Sequence, residues 1–200
     1  MITVAWDVDD VLNNLMQSWF ERQWLATHHN CSLLYESITE NPPHKILNVG
    51  LDDYLSSLDA FRLSESFQAM KPVPEVKKWF IEHGELARHI ALTAVPLSAA
   101  SASSAWVFKH FGTWIRTYHF VPSKRKGQDI PEYDAGKEAF LKWTGKVEIM
   151  VDDNEANITG AEKAGVRGIL MPQRWNGSRA TVGEALSRLT ELLKGMRGHD

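Results

Sequence analysis

The chain has 200 residues, 44% of them hydrophobic and 24% charged, a composition that suits one soluble core with a modest accessory lobe. Its 22 basic and 25 acidic side chains leave a formal charge of -3, which argues against a broad positive surface for a nucleic-acid polymer, so any phosphate must be held locally. The single cysteine, Cys31, excludes an internal disulfide, and no Cys/His spacing points to zinc.

Residues 2 to 8 are β-branched and aromatic up to Asp7, which predicts a short buried strand with Asp7, Asp9 and Asp10 at its C-terminal end. These acidic residues interrupt the apolar opening. No basic segment followed by a long apolar stretch is present, so a cytoplasmic protein without membrane partners is expected. From Leu12 to about Thr27, apolar residues recur at helical spacing, including Leu15, Met16, Trp19, Phe20 and Trp24. Asn41-Pro42-Pro43 breaks the pattern, which resumes over 51 to 70 and closes at Lys71-Pro72-Val73-Pro74. Residues 15 to 73 therefore read as a small, mostly helical cap inserted after the first strand, with the catalytic core formed by 1 to 14 and 74 to 200.

Beyond the insert, a helix over 75 to 83 precedes a strand over 89 to 94, with Thr93 at its end. Helix 98 to 111, strand 117 to 121, helix 134 to 142 and strand 147 to 151 follow. Asp152 and Asp153 end that last strand; helix 155 to 164, strand 168 to 171 and a closing helix over 181 to 195 complete the series. The alternation predicts a three-layer α/β fold with a Rossmann-like parallel sheet, whose ligands sit at the carboxyl ends of the strands.

Asp7-Val8-Asp9, Thr93, the lysines between 124 and 137, and Asp152-Asp153 all fall after apolar strands. Each alone reads equally well as a helix cap. Together they form a candidate site: alternate residues of an extended chain share a side, so one of Asp7 and Asp9 can attack a phosphate while the other manages protons. Carboxylates facing a phosphate dianion need a hard cation, and Asp152 and Asp153 supply further oxygen ligands. Thr93 and one lysine provide donors for the phosphoryl oxygens.

Asp7-Val8-Asp9-Asp10-Val11-Leu12, Leu92-Thr93, a downstream lysine and Val151-Asp152-Asp153-Asn154 resemble the four motifs of the haloacid dehalogenase superfamily of phosphatases. The opening motif, the helical insert and Trp106-Val107-Phe108-Lys109-His110-Phe111-Gly112 are similar to the 5'(3')-deoxyribonucleotidase family. The resemblance implies an Mg2+-dependent phosphomonoester hydrolase in which Asp7 attacks phosphorus and Asp9 transfers protons. Asp7, the backbone carbonyl of Asp9 and Asp152 would surround the magnesium, with Asp153 supporting them and Thr93 binding phosphoryl oxygens. Lys137 is the favoured lysine, with Lys124 and Lys126 as alternatives. Asp10 stands where many members carry glycine. The expected partner is a small phosphorylated substrate, best a nucleoside monophosphate. The alternatives are a sugar or other small-metabolite phosphate, a non-catalytic module of the same fold, and a response-regulator-like phosphoacceptor. Retention of both Asp7 and Asp9 counts against the silent module, and the Asp-x-Asp pair followed directly by an insert counts against the phosphoacceptor. Trp19, Phe20, Trp24 and Phe61 are expected to pack within the insert and not to stack on a substrate.

Overall fold

A computed structural model describes residues 1–131 and 133–197. Five parallel strands, β1 (Thr3–Trp6), β2 (Arg88–Val95), β3 (Ile115–Pro122), β4 (Ile149–Asp152) and β5 (Arg167–Leu170), form one sheet in the order β3-β2-β1-β4-β5. The α/β class and parallel sheet expected from the alternation are observed. Residue alternation along the central strands divides the core. Val4, Trp6, Ala91, Ile149 and Val151 join one apolar cluster, while Ala5, Ile90, Leu92 and Met150 join another on the opposite face.

The segment between β1 and β2 carries α1 (Leu15–Trp19), a π-helical turn (Phe20–Trp24), α2 (Leu25–Thr27), α3 (Leu51–Arg62), α4 (Glu65–Gln68) and α5 (Pro74–His83). One apolar layer of the sheet is completed by α5, α6 (Leu97–Phe111) and α9 (Val182–Arg197), which supply Trp79, Phe80, Trp106, Phe111 and Leu189. The other is completed by α7 (Lys137–Thr144) and α8 (Glu155–Lys163), which supply Phe140, Leu141 and Ala161. Among the described residues no helix is long and apolar enough to cross a membrane. The expected core range of 74 to 200 includes Glu132 and residues 198 to 200, which lie outside the described residues.

The insert departs from its expected form in three ways. Residues 28 to 50 hold only a short 3-10 turn, Tyr35–Ser37, and not a continued helix. The first helix starts at Leu15 and widens into the π turn, whose five-residue spacing sets the Trp19 and Trp24 rings 5.4 Å apart on one face. Trp19, Phe20, Trp24 and Phe61 are buried as expected, but in the same apolar cluster as Val4 and Trp6 of the sheet, so insert and core share one interior. The two ends of the insert meet. Asn13 bridges antiparallel to Pro72, and the Val73 amide donates to the Leu12 carbonyl at 3.0 Å.

Helix α7 begins at Lys137 and not at 134. Asp134 Oδ2 lies 3.0 Å from Nε2 of His119 on edge strand β3, which holds this stretch against the sheet until the extended Gly136 starts the helix.

Candidate active site

The carboxyl ends of β1, β2 and β4 lie side by side because both neighbours of β1 run parallel to it. The β1–β4 ladder continues one residue past the strand, where the Asp7 amide donates to the Val151 carbonyl at 2.9 Å. Asp7 is thus fixed at the sheet's centre. A cavity of about 320 Å³ opens above it, bordered by Asp7, Asp9, Asp10, Thr93, Lys137, Asp153, Asn154 and Asn157 from the core. Leu15, Met16, Leu51, Tyr54, Leu55, Leu58 and Arg62 of the insert form the facing wall.

Lys137 is the lysine brought to the carboxylates. It is buried, with Nζ 2.8 Å from Asp7 Oδ2 and 2.7 Å from Asp152 Oδ2. Lys124 and Lys126 are exposed on the loop after β3. Burial alone would lower the Lys137 ammonium, but Asp152 and Asp7 outweigh it, so the group is held above its ordinary range and remains charged.

Oxygens of Asp7, Asp152 and Asp153 lie within 4.8 Å of one another. Asp152 is fully buried, and its oxygens are occupied by Lys137, the Asn154 amide at 2.9 Å and Asn157 Nδ2 at 3.1 Å. Asp153 borders the cavity instead, oriented by Trp175 Nε1, which donates to its Oδ2 at 2.7 Å. Burial pushes Asp7 up to about 8, against the pull of Lys137 and with further repulsion from Asp152 and Asp153. Burial, then Asp152, likewise pushes Asp153 up to about 7. Three carboxyl groups crowd one ammonium, too little positive charge to keep them all ionised, and hard oxygen donors in this excess fit a divalent cation.

Asp9 does not turn its side chain into this trio. Its Oδ2 accepts from Arg62 Nη2 at 2.9 Å and its Oδ1 from Asn13 Nδ2 at 3.3 Å. Thr93, 1% exposed, borders the cavity from the end of β2. Asp10 has φ of 60°, the left-handed conformation that glycine adopts without strain and that Asp tolerates better than most residues. Its Oδ1 accepts from the Met16 amide at 2.9 Å, tying the turn to α1, and burial holds its carboxyl well above the usual range.

Sequence reasoning missed Arg62, Asn157 and Trp175. Asn157 lies in the first turn of α8, five residues after the Asp152 it contacts, and that closeness to the acidic pair could have marked it. Trp175 was one tryptophan among eight and carried no signal.

No family model and no curated protein matches the chain. Among solved structures, a haloacid dehalogenase-like family hydrolase from Streptococcus pneumoniae superposes with a TM-score of 0.66 at 10% identity, covering 96% of this chain and 98% of that one. A haloacid dehalogenase superfamily hydrolase of subfamily IA from Geobacter sulfurreducens gives 0.55 at 14%, covering 96% of each chain. A family hydrolase from Deinococcus radiodurans, with bound phosphate and sodium, gives 0.54 at 15%, covering 94% of this chain and 87% of that one. At these identities the likeness is one of architecture, and the chain has the haloacid dehalogenase-like fold.

Proposed function

We propose that this chain is a magnesium-dependent phosphomonoesterase acting through an aspartyl-phosphate on Asp7. The observation that carries the reading is the convergence of Asp7, Lys137, Asp152 and Asp153 at the floor of one cavity, three carboxyl groups to one ammonium. Binding of phosphate by the Deinococcus radiodurans protein of the same fold is in keeping with it.

Asp7, Asp153 and the backbone carbonyl of Asp9 would hold Mg2+; Asp153 takes the place in that set first expected of Asp152, which instead anchors Lys137. When bound, the ion offsets the charge of the phosphoryl oxygens and lets an anionic carboxylate approach them. Lys137 and the Thr93 hydroxyl hold those oxygens. An Asp7 carboxylate oxygen forms a bond to phosphorus as the bond to the leaving oxygen breaks, and Asp9 gives that oxygen its proton. Asp9 then takes a proton from water as the water oxygen attacks phosphorus, and Asp7 departs as a carboxylate.

Residues 15 to 73 act as the cap over this floor. Leu15, Met16, Leu51, Leu55 and Leu58 make its wall largely apolar, which suits a leaving alcohol with an apolar or aromatic face better than a polyhydroxylated sugar. A cavity of about 320 Å³ suits a small molecule, and a nucleoside monophosphate, as a 5'(3')-deoxyribonucleotidase would take, is the preferred substrate.

The purified protein is expected to release phosphate from 4-nitrophenyl phosphate with Mg2+ and not with EDTA. In a panel of phosphate esters, nucleoside monophosphates are expected to lead. Undiminished release in EDTA would overturn the metal dependence, and preference for sugar phosphates would overturn the substrate assignment.

A further inference from the structure

We infer that Arg62 is a positioning residue for Asp9, delivered by the insert, so that seating of the insert and proton transfer at the core are coupled. The inference rests on the reading of Asp9 as the proton-transfer group.

Arg62 ends α3, is 6% exposed, and borders the cavity. Its Nη2 donates to Asp9 Oδ2 at 2.9 Å and its Nη1 to Asp59 Oδ1 at 3.0 Å. Asp59 is gripped in turn by Arg125, with Nε 2.6 Å from Oδ2 and Nη2 2.9 Å from Oδ1. Arg125 Nη1 donates to Ser123 Oγ at 2.9 Å and to the Ser123 carbonyl at 3.0 Å. Charges of alternating sign thus run from the loop after β3, across the last turn of α3, to Asp9. A stabilising clasp between insert and core needs only the Asp59–Arg125 pair. The extra Arg62 contact ends on the carboxylate that must stay in one place through both half-reactions. With Oδ2 fixed by a charge-assisted bond, Oδ1, which among the described residues accepts only the long Asn13 amide contact at 3.3 Å, is the oxygen left to exchange the proton.

The test uses kcat/KM of the full chain with saturating Mg2+, which reports the steps up to transfer onto Asp7. An alkyl phosphate needs a proton on its leaving oxygen, whereas 4-nitrophenolate leaves without one. Arg62→Gln is expected to lower kcat/KM on the alkyl phosphate about 10- to 100-fold more than on 4-nitrophenyl phosphate. Arg62→Lys, which keeps the charge and guards against a folding failure, is expected to show the same selective loss at smaller size. Equal losses on both substrates in both variants would reduce Arg62 to a structural clasp and overturn the inference. Asp9→Asn separates the two layers. If it produces the leaving-group selectivity and the Arg62 variants do not, the positioning role alone is overturned. If Asp9→Asn shows no selectivity, the proton-transfer reading fails and the inference falls with it.

Discussion

The floor and the wall of the cavity are built on different principles. The floor carries Asp7, Lys137, Asp152 and Asp153, all buried, placed by strand ends or the first turn of a helix and tied by ion pairs and hydrogen bonds of 2.7–3.1 Å. The wall is largely one face of α3, where Leu51 is exposed, Leu55 half-buried and Leu58 buried. Strand ends depend on their neighbours for hydrogen bonds, so a floor residue cannot move without the sheet. A helix satisfies its own backbone, so wall side chains can change while the scaffold stays. On the proposed function, the floor would carry the bond-making groups and the leucines of the wall would choose the substrate.

The largest expected effect breaks the floor. Asp7→Asn keeps the side-chain shape but removes the nucleophile, and Mg2+-dependent release from 4-nitrophenyl phosphate should fall about a thousandfold or more. Activity near that of the parent would end the covalent reading.

A second prediction probes what lies beneath the floor. Trp6, next to Asp7, donates its indole N–H to His89 Nδ1 at 3.0 Å, and His89 Nε2 lies 2.8 Å from the Gly84 carbonyl. The neutral ring with its proton on Nε2 satisfies both contacts, whereas a second proton would face the indole N–H. Burial pushes His89 down to about 4, below its ordinary 6.5. A depressed histidine contributes stability that is complete above about 6.5 and lost as pH falls toward 4, here about 3 kcal/mol. Urea titrations at pH 7 and 4.5 should show that His89→Gln loses less stability on acidification than the parent. Identical profiles would remove His89 from the account.

The smallest effect belongs to the wall. Leu55→Ala should raise KM for a nucleoside monophosphate about three- to tenfold while leaving kcat on 4-nitrophenyl phosphate unchanged. A lowered kcat on the aryl substrate would erase the division between the two regions.

The floor was legible in the sequence because Asp7, Thr93 and Asp152-Asp153 each follow an apolar run that only a buried strand explains, and parallel strands align such ends. Lys137 was harder, since three candidate lysines follow β3 and only the contacts of its ammonium with Asp7 and Asp152, 130 and 15 positions away, single it out. The wall was opaque. Arg62 three residues after Asp59 reads as an ordinary surface pair at a helix C-terminus, and nothing local announces Asp9, 53 positions earlier, as its partner. Leu51, Leu55 and Leu58 have helical spacing that suits a core-facing stripe, and spacing does not separate core from cavity lining.

Because Leu12 and Val73 are hydrogen-bonded, the chain enters and leaves the insert at a single crossing. For a segment whose ends are already joined, the entropy of closure grows only logarithmically with its length, by roughly 0.6 kcal/mol per doubling. Residues can therefore be added to or removed from the tip of the insert, the poorly helical stretch from 28 to 50 above all, at little cost to the sheet. The crossing at Leu12 and Val73 is in this sense a socket, at which the tip of the insert can be lengthened or shortened while the strands below keep their register.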